Sequence, residues 1–153
     1  MCQMQIRQAT LEDLEVIARF NIALASESEH LELHPPTVRA GVEALLRDSA
    51  RGTYFVAVVE GRVAGQLMIT HEWSDWRNGD FWWLQSVYVE PEFRRRGVFK
   101  ALFKFVHDEA ARTSGVCGLR LYMENANDRA RAAYRRLGMT ETHYQVFEQV
   151  FAR

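Results

Sequence analysis

Cysteine is scarce in this chain: Cys2 and Cys117 are the only two among 153 residues, too few for a disulfide framework, and both are expected to be reduced thiols. Charge of one sign is missing as well. Nineteen basic residues face twenty acidic ones, so the basic excess that a general nucleic-acid binder needs is absent, and no nucleic-acid partner is expected. No apolar run approaches the ~18 residues of a membrane span, and no charged-then-apolar leader precedes the first amphipathic segment. The reading is a cytoplasmic protein with no membrane partner. No repeat, linker or low-complexity stretch divides the sequence. What remains is ordinary globular material, 48% apolar and 25% charged, of a length suited to one domain over residues 1–153.

The local patterns predict an ordered series of elements. Met4 to Arg7 alternates as a short strand. Thr10-Leu11-Glu12-Asp13 is a capping box that should open a helix carrying Leu11, Leu14, Ile17, Ala18 and Leu24, closed by the polar stretch 26–34. A second helix is expected near Thr37. Thr53 to Val59 and Val63 to His71 read as antiparallel strands about Glu60-Gly61, and Asn78-Gly79 as the hairpin turn before a strand from Phe81 to Val89. Val98, Leu102, Val106 and Ala110 form a helical stripe ending at Ser114-Gly115. A strand over 118–123, a short helix capped by Asn127 and stopped by Gly138, and a closing strand from Thr142 to Phe151 complete a β-α-α-β-β-β-α-β-α-β order.

The segment richest in chemical information is Val87-Tyr88-Val89-Glu90-Pro91-Glu92-Phe93-Arg94-Arg95-Arg96-Gly97-Val98-Phe99. A strand stops at proline and the chain re-emerges as an apolar-faced helix. The first amides of a helix have no intrahelical acceptor, its dipole places about half a positive charge there, and glycine lets an anion approach the backbone. Arginines add forked donors, so an anion site is expected at this turn.

These residues resemble the GNAT superfamily of acyl-CoA-dependent N-acetyltransferases, whose signature is [Arg/Gln]-x-x-Gly-x-[Gly/Ala] after a strand ending in Val-x-Pro. Val89-Glu90-Pro91 and Arg94 to Gly97 match it, and Phe99 stands where a small residue is usual. A second signature matches Asn127, Ala130, Tyr134 and Leu137-Gly138-Met139. The resemblance implies an α/β (α+β) fold: a mixed, mostly antiparallel sheet of six to seven strands, about four helices, and a splayed parallel strand pair that holds acyl-CoA. It implies that acetyl-CoA is the acyl donor, that the amides from Arg95 to Phe99 and the triplet Arg94, Arg95, Arg96 hold its diphosphate with Gly97 and Val98, that Val87, Tyr88 and Val89 pair with the pantetheine arm, and that Asn127 touches the cofactor. No metal is called for, and a homodimer is expected from the family alone.

Acyl transfer to an amine needs the neutral amine, which at pH 7 costs about 4.6 kcal/mol for a pKa near 10.4. Many relatives use a glutamate on the third strand for this step, where this chain has Gln85. Glu72, then Asp75, are the carboxylates expected to replace it, and Tyr134 is expected to donate to the leaving thiolate. Glu27, Trp73 and Gln85 are expected at the pocket of a cationic amine, where acids and indole rings suit an ammonium. The alternative is a catalytically weak or inactive acyl-CoA-binding regulatory domain, motivated by Gln85 and Phe99.

Overall fold

The computed structural model describes residues 3–152. Their contacts separate into two compact units, one ending at Arg120 and the other beginning at Leu121. The first unit holds β1 (Met4–Gln8), α1 (Leu14–Glu29), α2 (Pro35–Arg47), β2 (Thr53–Val59), β3 (Arg62–Ser74), β4 (Gly79–Val89), α3 (Val98–Arg112) and β5 (Val116–Arg120). The second holds one helix, α4 (Asp128–Arg136).

The sheet has the order β1-β2-β3-β4-β5. The first four strands are antiparallel neighbours and β5 runs parallel to β4. Strand alternation sorts side chains to two faces. Tyr54 and Val56 turn toward α1 and α2, where they pack with Leu14, Ile17, Ala18 and Val42. On the opposite face lies α3, whose predicted stripe of Val98, Leu102, Val106 and Ala110 is buried, with Phe103 added to it and Phe105 against Phe55. Among the described residues no helix is long and apolar enough to cross a membrane.

Thr10 and Asp13 do form the capping box, around a short 3-10 turn that leads into α1. Asp13 is buried and accepts two bonds from Arg7, at 2.8 and 2.9 Å, and one from the Thr10 amide. Burial pushes its carboxyl up, but the Arg7 guanidinium and the Thr10 amide outweigh that and hold it below the usual range. A depressed folded-state pKa contributes stability above the unfolded value, near 3.9, and the contribution is lost as pH falls through the folded value. Melting temperature measured against pH should therefore fall below about pH 4, and Asp13→Asn should flatten that acid limb while lowering the neutral plateau. An acid limb of equal steepness in the variant would assign the loss to other carboxylates.

Two expectations are corrected. The described residues form five strands, not six to seven, and residues 142–151 form no strand. Alternation specifies which side chains share a face, whereas a strand also needs a neighbouring edge to complete its ladder, and no sequence pattern supplies that edge. The β3–β4 hairpin closes at Ser74 and Gly79 around residues 75–78, so Gly79 is a strand residue. Its missing Cβ is required elsewhere: a methyl there would lie 2.6 Å from the Gly115 carbonyl oxygen.

Candidate functional site

The centre of the site is a break in β4. Its register with β3 passes from Met68 opposite Gln85 to Gln66 opposite Tyr88, so Leu67 faces both Ser86 and Val87. This is a β-bulge, which bends the strand and re-aims the residues beyond it. Ser86 takes a left-handed φ of 50°, costly for a residue with a side chain. A buried polar network holds it there. Gln66, fully buried, donates from Nε2 to the Ser86 carbonyl at 3.0 Å and to Asn21 Oδ1 at 2.7 Å, and Asn21 donates to the Tyr54 hydroxyl at 3.0 Å. Burial pushes the Tyr54 phenol up, while hydrogen bonds from Asn21 and Ser86 act against it. None of Gln66, Asn21 and Tyr54 is among the residues expected at the site. The available signal was Gln66 itself, a lone amide in the otherwise apolar run Ala64 to Ile69.

The parallel ladder joins Asp80 through Trp83 to Val116 through Arg120, and the edge of β4 from Leu84 onward, bulge included, is not paired to β5. Glu90 donates its amide to Ala64 O at 2.9 Å across the Gly65–Val89 pair. Amides alternate in direction along a strand, so the Val89 amide faces away from β3, into the open side.

The chain then turns sharply. Pro91–Phe93 is a 3-10 turn, Arg95 has φ 62° and Gly97 φ 80°, and α3 starts at Val98. Phe93 plugs the turn from below, buried beneath the guanidinium groups of Arg62 and Arg96 at 5.1 and 5.2 Å. Val98 packs onto Gly65, where an added Cβ would lie 3.1 Å from Val98 Cγ1 and 2.8 Å from Tyr88 O. That close approach fixes the start of α3 beside the open end of β4, and it places Phe99 with its ring toward Phe103 at 6.3 Å. The turn therefore brings Val87, Tyr88, Val89 and the segment from Arg94 to Phe99 together.

Glu27, in the last turns of α1, joins them. Tyr88 donates its hydroxyl to Glu27 Oε1 at 3.0 Å, and Arg94 donates to Glu27 Oε2 at 2.6 Å. Burial pushes the Tyr88 phenol up, and acceptance by Glu27 adds to it, so Tyr88 is a neutral donor at neutral pH.

Glu72, Trp73 and Asp75 lie elsewhere. Glu72 is opposite Phe81, six to eight residues along β4 from Val87–Val89, a separation of roughly 20–26 Å at strand rise. It accepts from Arg120 at 2.7 Å and from the Trp83 indole at 3.3 Å. Trp73 is 62% exposed beside Asp80. Asp75 sits in the hairpin turn and accepts from the Trp76 amide. Gln85 adjoins the bulge and donates to Thr70 Oγ1 at 2.6 Å.

In the second unit Asn127 caps α4, its side-chain oxygen accepting from the Ala130 amide at 3.0 Å. Tyr134 lies on the same helix, and burial pushes its phenol up.

The profile of the Acetyltransferase (GNAT) family matches residues 18–139. A possible acetyltransferase from Clostridium difficile 630 is 43% identical, covers 98% of this chain and 99% of its own, and superimposes with a TM-score of 0.92. Two more distant structures share the fold. An aminoglycoside N-acetyltransferase in complex with CoA is 21% identical over 99% of this chain and 97% of its own, with a TM-score of 0.78. The ribosomal-protein-alanine N-acetyltransferase of Brucella melitensis biovar Abortus 2308 is 19% identical over 98% and 100%, with a TM-score of 0.77. No curated protein matches the chain. With its parallel β4–β5 pair, its 43%-identical relative and a profile match over residues 18–139, the chain belongs to the GNAT acetyltransferase family.

Proposed function

We propose that the protein transfers an acetyl group from acetyl-CoA to a primary amine of a small molecule or peptide, by direct attack in a ternary complex, with its two units acting as one domain. The observation that carries this reading is the open end of β4: the Val89 amide faces the gap and the chain turns at once into the start of α3. Amides from Arg95 to Phe99 bind the diphosphate, aided by the helix dipole. Val87 to Val89 pair with pantetheine, Asn127 contacts the donor, and the Val89 amide meets the oxyanion as the carbonyl carbon becomes tetrahedral.

Glu27 receives the acceptor as its ammonium ion, because of the three carboxylates expected at the site it is the one held at the open end, whereas Glu72 and Asp75 are strand lengths away. The ammonium proton leaves to solvent before attack. Turnover at subsaturating amine should then rise roughly tenfold per pH unit between about pH 6 and 9, following the free-amine fraction. A plateau from pH 7 upward would instead require a dedicated base. Tyr134, kept protonated by burial, donates a hydrogen bond to the departing thiolate. Tyr134→Phe should lower kcat about 10- to 100-fold, at or below the usual general-acid range, and an unchanged kcat would remove the residue from the reaction.

The direct test is incubation with acetyl-CoA and a broad panel of amines, following thiol release. Saturable CoA binding without thiol release favours a second reading, an acyl-CoA-binding regulatory domain, which is motivated by Gln85, an amide committed to Thr70 where the family resemblance leads one to expect a carboxylate. No CoA binding overturns both.

A further inference from the structure

The three arginines before Gly97 are not equivalent. The Arg96 guanidinium lies over Phe93 and 3.7 Å from Glu60, and Arg95 is exposed at the left-handed corner of the turn. Arg94 turns back on the strand instead. Its Nε donates to the Val89 carbonyl at 2.8 Å, its Nη2 donates to Glu27 at 2.6 Å, and its guanidinium carbon lies 5.4 Å from the centre of the Tyr88 ring. One planar fork thus holds a backbone acceptor on β4 and a carboxylate on α1 through two separate nitrogens, a rigid spread of donors that lysine, with all its donors on one nitrogen, lacks.

The same strand end is tied to α1 at three further points. Arg19 pairs with Glu90 at 2.8 Å, Tyr88 donates to Glu27, and Phe20 packs on Tyr88 with ring centroids 5.0 Å apart. The Val89 carbonyl shares its peptide plane with the Glu90 amide, which donates to Ala64 O, and lies one Cα away from the Val89 amide that faces the gap, so holding it restricts the backbone rotation about Val89 on which the aim of that amide depends.

We propose that Arg94 is a positioning residue rather than a diphosphate ligand: it straps the open end of β4 to the C-terminal turns of α1, setting both the Val89 peptide and the Glu27 carboxylate. This rests on the acetyl-transfer reading for its catalytic consequence, but the strap itself does not. A diphosphate ligand would have to release Glu27 and Val89 on cofactor binding. A strap keeps them.

The test uses the whole chain with Arg94→Met, Arg94→Lys, Glu27→Gln and the Glu27→Gln/Arg94→Met pair. Backbone hydrogen exchange over residues 24–30 and 84–90 is read beside CoA affinity by calorimetry. Arg94→Met should speed exchange in both segments by about fivefold or more as the local opening free energy falls. The double variant should go no further than Arg94→Met alone, since both changes break one network. Arg94→Lys should restore protection at 24–30 but not at 84–90, because lysine puts its donors on one terminal nitrogen and has none at the Nε position that holds Val89 O. CoA affinity should stay within about threefold of the parent, where loss of a charge-assisted phosphate contact would cost about tenfold or more. Where an amine acceptor has been found, its KM should rise while that for acetyl-CoA holds. Unchanged exchange, or a tenfold loss of CoA affinity in Arg94→Met, overturns the proposal. Failure of the parent to bind CoA sinks the acetyl-transfer reading and leaves exchange to decide the strap.

Discussion

Gly97→Glu is expected to weaken CoA binding about 100-fold or more, with little change in melting temperature beyond the strain of one residue. Two effects add. Gly97 sits at φ 80°, where a residue with a Cβ is disfavoured by about 1–2 kcal/mol, so the turn drifts and its amides lose their common aim. A carboxylate at the N-cap also occupies the positive end of the helix dipole and repels a diphosphate brought to the same place. Together about 3 kcal/mol corresponds to two orders of magnitude. A Cβ at this position would meet no atom within 4 Å, so the fold has room for the side chain and the loss falls on the ligand. Gly97→Ala separates the effects, because it carries the backbone strain without the charge and should cost about 5- to 30-fold at most. Calorimetry with CoA at one ionic strength reads both variants. Equal losses in the two would make backbone conformation the whole effect and remove the electrostatic part of the diphosphate site.

How much of this was legible in the sequence depends on the range over which each cause acts. The Thr10 to Asp13 capping box, the Glu60-Gly61 hairpin and the passage from Pro91 through Gly97 are short-range events, and the structure forms each where the residues called for it. The bulge at Ser86 is of another kind. Nothing about a serine in a strand announces a left-handed φ, because the conformation is imposed by Gln66 and Tyr54 from two other strands and by Asn21 from α1. The Glu27–Arg94 pair joins positions 67 residues apart, and only the packing of α1 on β4 reveals it. Strand register likewise places Glu72 far from the open end of β4, a distance that adjacency in sequence to Trp73 and Asp75 could not convey. The aromatic and β-branched residues over 142–151 suit a strand but name no neighbour to pair with, and the strand expected there does not form.

The same dependence on long-range packing makes Phe20→Ala the most disruptive single change expected for the fold. Phe20 is fully buried on α1 and its ring lies 5.0 Å from that of Tyr88. Truncation to alanine removes the ring's burial and leaves a cavity, at a cost of about 3–5 kcal/mol. For a chain of this length that corresponds to a melting temperature lower by roughly 10 °C. Phe20→Leu keeps most of the volume and should cost less than half as much. The functional consequence is separable from the thermal one. Tyr88 would lose the surface it leans on, so its hydroxyl would hold Glu27 less firmly, and exchange over 84–90 should rise well below the melting temperature. The start of α3 is fixed instead by Val98 on Gly65, on the other side of the sheet, so CoA affinity at low temperature should be nearly that of the parent. If Phe20→Ala instead lost CoA binding and stability together, the two faces of the sheet would be acting as one cooperative element, and the acceptor side and the donor side of the site could not be tuned separately.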